Sequence, residues 1–234
     1  LPYELYEKQR VRRYGMHGTS HKYVAHKAAE FLSRKNEGFN VITCHLGNGC
    51  SITAVKDGKC IDTSMGLTPL AGVMMGTRSG DIDPAIHAFL GRHTGMGLED
   101  IDAMLNRKSG LKGICGMNDM RDIHAAREKG DTKAKLAFEM FCHTIRRFIG
   151  SYMVALGRVD ALVFTAGIGE NDEHVRAEVC AGLEDLGIVL DTAANDRRSG
   201  EPRSISPAGT KTPILVVPTN EELAIAQATL TVLK

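Results

Sequence analysis

The sequence has no long apolar run and no excess of charge of one sign. The first absence leaves no segment of the length needed to cross a bilayer as a helix. The second, a formal net charge of +1, gives no reason to expect nucleic acid or an anionic membrane as partner. Six cysteines are present (Cys44, Cys50, Cys60, Cys115, Cys142 and Cys180), yet none forms a C-x-x-C pair, so the usual signature of a structural zinc site is missing. Several lie in apolar stretches and read as small buried residues. With no secretory leader in view, the expectation is a reducing, cytoplasmic compartment. The two common phosphate loops are missing too: neither Gly-Lys-Ser/Thr nor Gly-x-Gly-x-x-Gly opens a helix. A hydrolase reading finds no nucleophile elbow. What remains is a chain of 234 residues, 43% hydrophobic and 24% charged, which fits one large globular domain or two small ones with a sizeable core.

The most informative run is Val41 to Val55. Val41–Cys44 is apolar and β-branched, Gly47-Asn48-Gly49 is a turn, and Ser51–Val55 is β-rich again. Asp57-Gly58 offers a second hairpin turn into Lys59–Thr63. A glycine turn of the first kind exposes backbone N–H groups and a short polar side chain, which suits a phosphate. A plain hairpin explains the segment equally well.

Elsewhere the spacing predicts a helix capped by Thr19 or Ser20, with Val24, Ala28, Phe31 and Leu32 on its face. Residues 64–83 form a long glycine-containing apolar loop of the functional type. Asp83-Pro84 starts a helix with Ile86, Phe89 and Leu90 on one face. Leu98, Ile101, Met104 and Leu105 mark another. Residues 108–122 read as a connection, and a long helix is expected over roughly 132–157, faced by Ala137, Met140, Phe141, Ile145, Phe148, Ile149, Tyr152, Met153 and Leu156. A buried strand, Ala161–Thr165, runs into a second glycine turn, Gly167-Ile168-Gly169, and then a helix. Residues 191–212 read as a polar excursion. Ile214–Val217 is the last buried strand, leading through Pro218-Thr219-Asn220 into a helix from Glu221. A meander followed by α/β units predicts an α/β fold with a mixed sheet flanked by helices, the ribonuclease H-like pattern of the actin, chaperone and sugar kinase superfamily.

Three turns thus fall at the carboxyl ends of strands, where open α/β sheets bind ligands. His45, Asn48, Asn171 and Glu221 stand beside them. Arg78 is the only cation in a loop of Gly, Met and Leu, fitted either to clamp phosphoryl oxygens or to pair with Asp81 or Asp83. Glu221 reads as a helix-dipole partner or a Mg²⁺ ligand. His17 alone reads as a loop residue.

Five motifs in order make the pattern specific. They are Arg12 to His21, Thr43 to Ser51, Met65 to Pro84 (with Gly76-Thr77-Arg78-Ser79-Gly80-Asp81-Ile82-Asp83-Pro84), Phe164 to Asn171, and Pro218 to Glu222. Together they resemble the acetate kinase family over almost the whole chain. The resemblance implies reversible in-line phosphoryl transfer between ATP and acetate, with ADP and acetyl phosphate as products. A propionate or butyrate kinase is the alternative within the family, and a non-catalytic actin- or chaperone-like nucleotide-binding module is the alternative outside it. By resemblance His17 and Arg78 stabilise the transition state. His45, Leu46, Gly47, Asn48 and Gly49 contact the ATP phosphates. Asp119, Met120 and Arg121, with Gly167, Ile168, Gly169, Glu170 and Asn171, hold the rest of the nucleotide. Glu221 serves Mg²⁺, with Mn²⁺ as a possible substitute, and Met16 and Pro69 line the acyl pocket. Met16 stands where many relatives carry an aromatic. The resemblance also implies a homodimer and a nucleotide-binding C-terminal domain over 1–234, with 1–16 as a connecting segment. The opening Leu1-Pro2-Tyr3-Glu4-Leu5 reads as the interior of an element. The chain is therefore expected to lack an N-terminal lobe that supplies an aspartate, an arginine and an asparagine, and to be inactive alone.

Overall fold

The computed structural model describes residues 1–233. Along the chain, α1 (Tyr3–Gln9) and α2 (Gly18–Phe31) precede the meander β1 (Asn40–Leu46), β2 (Cys50–Lys56) and β3 (Lys59–Thr63). Helices α3 (Ile86–Thr94), α4 (Leu98–Arg107), α5 (Gly110–Cys115), α6 (Met120–Glu128) and α7 (Thr132–Leu156) follow the long loop. Then come β4 (Ala161–Thr165), α8 (Ala166–Asn171), α9 (Glu173–Cys180), α10 (Thr192–Asn195), β5 (Arg203–Ser204), β6 (Ile214–Val216) and α11 (Glu221–Val232). The chain divides into two compact units. One holds Leu1–Met16, Asn48–Cys50 and Ser64–Thr144; the other holds His17–Gly47, Ser51–Thr63 and the chain from Ile145 onward.

The second unit carries the expected mixed sheet, in the order β3-β2-β1-β4-β6-β5. β1 pairs parallel with β4 from Val41↔Ala161 to His45↔Thr165, and β4 pairs parallel with β6. β3 and β5 pair antiparallel with β2 and β6. Every residue of β1, β4 and β6 is buried, as parallel strands covered on both faces require. Asp57 and Gly58 take φ of 52° and 71°, the paired positive φ of a tight β2–β3 hairpin turn. Val24, Ala25, Ala28 and Ala29 of α2 close one side of the core against Phe39, Val41, Val163, Leu215 and Val217.

Three expectations in this unit change. Neither Thr19 nor Ser20 caps α2: the helix starts at Gly18, His17 takes the N-cap position, and the Ser20 hydroxyl is engaged by His45 and Thr219 instead. Phe31 is 43% exposed, because the helix ends there and Leu32 turns toward the core. Gly167-Ile168-Gly169 is not a turn but the start of α8. Ala166, at φ 65°, carries the chain straight from strand to helix, and Gly169 lets the helix press on the sheet: a Cβ there would lie 3.4 Å from the Phe164 carbonyl carbon. The polar excursion 191–212 contains α10 and β5.

In the first unit the glycine-containing loop is ordered by its own backbone and by α4 and α5. Asp81 N–H donates to Gly72 O (2.8 Å), Ser79 N–H to Leu105 O (3.0 Å) and Leu111 N–H to Met75 O (2.9 Å). Val73, Met74 and Met75 are buried. Gly80, at φ 71°, admits no Cβ, which would sit 2.6 Å from Gly72 O. The connection expected at 108–122 holds α5 and the start of α6, pieces too short and glycine-rich to show a period. The expected face of α3 is not buried: Phe89 is 54% exposed and stacks on His93. Residues read as polar connection include α1. In α7, whose bounds match the expectation, Met140 lies 41% exposed, off the buried stripe of Ala137, Phe141, Ile145, Ile149, Tyr152 and Leu156.

Candidate active site

In the second unit, the ends of α2, β1 and β2 bring three histidines together. His17 occupies the N-cap position of α2 and His21 lies in its first turn, with their ring centroids 6.4 Å apart. His45 closes β1. The ring of His17 lies on that of His45, with centroids 4.0 Å apart and planes at 15°. His17 has φ 60°, in the left-handed region. A non-glycine residue held there stores backbone strain, which clusters at working sites. His17 Nδ1 shares a hydrogen bond with Ser51 Oγ at 2.9 Å, and His21 Nε2 shares one with the same hydroxyl at 2.7 Å. His21 Nδ1 meets Thr43 Oγ1 at 2.7 Å, and His45 Nδ1 meets Ser20 Oγ at 2.9 Å. Burial, then the neighbouring His45 and His17, pushes His21 down to about 3; burial, then His17, pushes His45 down to about 4. Both rings are therefore neutral at neutral pH.

The ends of β4 and β6 are joined by Glu170. Its Oε1 accepts from Ala166 N–H (2.8 Å), Thr165 Oγ1–H (3.3 Å) and Thr219 N–H (3.1 Å). Thr219 Oγ1 is 2.9 Å from Ser20 Oγ, so the tie continues to His45. Gly169 O accepts from Arg176 at 3.0 Å, and Arg176 also holds the side chain and backbone oxygens of Asn195 at 2.7 and 2.8 Å. Asn171 Nδ2 donates back to Gly167 O at 2.9 Å. Gly167 is exposed and Ile168 half-buried. Leu46 is fully buried, main chain included, and Gly47 follows it half-buried. Glu221 is exposed on the first turn of α11, whose N-cap Asn220 accepts from Leu223 N–H.

In the first unit, Arg78 Nη1 donates to Pro69 O at 3.3 Å and touches Met75 Sδ at 3.6 Å, which brings two predicted residues together. Its alternative partners are otherwise occupied: Asp81 Oδ1 accepts from Gly72 N–H and Asp83 Oδ1 from Ala85 N–H. Among the described residues no carboxylate pairs with the half-buried Arg78. Asn48 O accepts from Gly76 N–H at 3.2 Å, and Asn48 Oδ1 from Asn118 Nδ2 at 3.4 Å. A Cβ at Gly76 would collide with the Asn48 side chain. Gly49 and Met16 are half-buried. Asp119 caps α6 and binds Arg121 at 2.6 Å, which holds its carboxyl down at about 2, while Met120 is buried beneath.

The sequence reading missed Ser20, His21, Ser51, Thr219 and Arg176. The i, i+4 spacing of His17 and His21 and the polar alternation Ser51, Thr53 in an otherwise apolar strand were the available signals. No group of three His, Cys, Asp or Glu able to cage a metal occurs among the described residues. No helix among them is long and apolar enough to cross a membrane.

The profile of the Acetokinase family matches residues 1–227. An acetate kinase of Nitratidesulfovibrio vulgaris is 62% identical over 234 residues, covering all of this chain and 58% of that protein. The crystal structure of Porphyromonas gingivalis acetate kinase superposes with a TM-score of 0.97 at 45% identity, over 100% of this chain and 59% of that one. A propionate kinase structure from Francisella tularensis gives 0.91 at 51% identity, over 97% and 58%. The chain thus spans somewhat more than half the length of these relatives.

Proposed function

The chain belongs to the acetokinase family, and from that premise we propose that it carries the nucleotide-facing part of an enzyme moving the γ-phosphoryl group of ATP, reversibly and in line, onto acetate. One observation carries the reading. Arg78 is half-buried, anchored by neutral groups, and without a carboxylate partner among the described residues. Those two contacts engage one nitrogen of the guanidinium, and we read its remaining donors as available to an anion.

The chemistry fits. A carboxylate is already a nucleophile at neutral pH, so the difficulty is to bring two anions together and to spread charge over the equatorial phosphoryl oxygens. Arg78 and His17 serve that charge. The main chain of His45 to Gly49, with Asn48, serves the ATP phosphates. Gly167 to Asn171 and the Asp119–Arg121 turn serve the rest of the nucleotide. Within that last set, Glu170 acts by holding the strand ends rather than by touching ligand. Met16 and Pro69 border the acyl group.

An exposed carboxylate, Glu221, with no caging cluster of His, Cys, Asp or Glu among the described residues, suits Mg²⁺, which keeps its waters and binds chiefly through substrate phosphates. When bound, the ion would neutralise phosphate charge. An actin- or chaperone-like module would have no use for an Arg78 that has no carboxylate partner among the described residues. No disulfide joins the six cysteines, which suits a cytoplasmic enzyme. A homodimer is part of the same proposal.

The test is acyl phosphate trapping. Full-length protein with Mg-ATP, acetate and hydroxylamine should yield acetyl hydroxamate. Residues 1–234 alone should yield none, because they span only 58% of the length of the acetate kinase relative. The propionate kinase relative raises the second reading, and kcat/KM across acetate, propionate and butyrate decides it. One methylene is worth only about 1–3 kcal/mol in such a pocket.

A further inference from the structure

We propose that Ser20 and Thr219 are positioning residues that couple the end of β1, assigned above to the phosphates, to α8, assigned to the rest of the nucleotide. The inference rests on that nucleotide reading; the tie itself is geometric. The parallel register of β1 on β4 ends at His45↔Thr165, and that of β4 on β6 at Phe164↔Val216. At those strand ends a run of side chains takes over. His45 Nδ1 is 2.9 Å from Ser20 Oγ, and Ser20 Oγ is 2.9 Å from Thr219 Oγ1. Thr219 N–H donates to Glu170 Oε1 at 3.1 Å, and the same oxygen accepts from Ala166 N–H, at the start of α8, at 2.8 Å. Ser20 and Thr219 are 199 residues apart in the chain, so only the fold brings them together.

Ser20 is the joint. A serine in the first turn of a helix commonly turns its hydroxyl to nearby backbone. Ser20 is fully buried, and its hydroxyl is spent on side chains from β1 and from the segment leading into α11. One hydroxyl has one hydrogen and two lone pairs, so Ser20 satisfies His45 and Thr219 whichever way the hydrogens run. The tie therefore holds for either tautomer of His45. The His17 ring, stacked at 4.0 Å, limits the tilt of the His45 ring, and Ser20 limits its rotation within the plane. A buried hydrogen-bonded run of this kind favours one arrangement, where apolar packing alone would tolerate several. The end of β1 and α8 are thereby held in one fixed relation. A ligand that spans both finds its site assembled in advance and loses less on binding. A ligand that reaches α8 alone gains nothing from the tie.

The test measures nucleotide binding to the full-length protein by calorimetry. Mg-ATP, by the reading above, reaches both segments; AMP lacks the β- and γ-phosphates. Ser20→Ala removes one hydroxyl, and Thr219→Val removes the other with little change of volume at a half-buried position. Both should weaken Mg-ATP roughly 3- to 10-fold, the scale of one net hydrogen bond, and leave AMP within about twofold of the parent. The double variant should match Ser20→Ala, because both substitutions break the same bond. Mg-ATP affinity within about twofold of the parent in both variants overturns the proposal. So does an equal loss for AMP, which marks a merely structural role, and so does a double variant whose loss is the product of the single ones. Should Ser20→Ala fail to fold, Thr219→Val keeps its backbone bond to Glu170 and decides the question by the same comparison of Mg-ATP with AMP. A parent protein that binds neither nucleotide defeats the nucleotide reading and this proposal with it. A parent that binds Mg-ATP no better than its variants do defeats the proposal alone.

Discussion

The ring of His17 lies flat against that of His45, 4.0 Å between centroids and 15° between planes. Two stacked imidazoles cannot both be charged without cost, and burial settles which is neutral: His45 falls from 6.5 to about 4. The unfolded chain takes up that proton near pH 6.5, the folded chain only near pH 4. The resulting stability is complete above pH 6.5 and is lost as pH falls toward 4. The shift corresponds to about 3 kcal/mol for His45, and His21 acts in the same direction. The Tm of the full-length protein should therefore fall between pH 7 and pH 5, a window in which most carboxylates remain ionised. His45→Asn should flatten that slope. An unchanged Tm across the window would mean that these rings are not buried neutral.

Arg78 is anchored by Pro69 O and Met75 Sδ rather than by a carboxylate. Arg78→Ala in the full-length enzyme should cost roughly 100- to 1,000-fold in kcat, the scale of removing one preorganised charge-stabilising donor. Arg78→Lys should recover little, because a point charge does not reproduce the planar fork. Hydroxamate yield against time measures both. Full activity in Arg78→Ala would remove the residue from the mechanism.

How far the sequence shows all this depends on where periodicity carries the information. The sheet strands and α7 repeat apolar residues over enough positions to reveal themselves, and α7 falls within a residue of its expected end. Helices α5 and α8 do not. Each is six residues long and contains two glycines that also look like turn residues. The same ambiguity hid the site's supporting groups. Ser51 and His21 are unremarkable until β2 and α2 are packed together, because their partners lie 34 and 22 residues away along the chain, at His17 and Thr43. Motifs could identify His17 and Arg78, but only packing shows that one is held by a hydroxyl and that the other has no carboxylate partner among the described residues.

Glu170 stands within the segment proposed to hold the nucleotide, yet its Oε1 is occupied by Ala166, Thr165 and Thr219. Glu170→Gln keeps an acceptor oxygen and should leave KM for ATP within about threefold of the parent, with a modest fall in Tm. Glu170→Ala leaves two backbone N–H groups without their partner and should cost about 1–3 kcal/mol or more. A large rise in KM for ATP in Glu170→Gln with unchanged Tm would instead make Glu170 a ligand contact.

Arg176 is 1% exposed, and its guanidinium closes a bridge between Gly169 O in α8 and Asn195 in α10. Burial, then the nearby Arg203, lowers it to about 10, so it remains charged at neutral pH. Its partners are carbonyl and amide oxygens, which means that its removal strands three acceptors at once. Arg176→Met fills most of the volume but none of the bonds. It should destabilise the protein by roughly 3 kcal/mol, given 1.5–3 kcal/mol for a single hydrogen bond to a charged group and partial relaxation of the rest. Because Gly169 belongs to the segment assigned to the nucleotide, KM for ATP should rise while KM for acetate holds. Arg176→Lys should restore some stability through one bond but not the bridge, since a lysine cannot span Gly169 and Asn195 together. Thermal unfolding and steady-state kinetics on the same samples separate these effects. A loss of Tm with both KM values unchanged would show that Arg176 holds α10 in place without shaping the nucleotide segment.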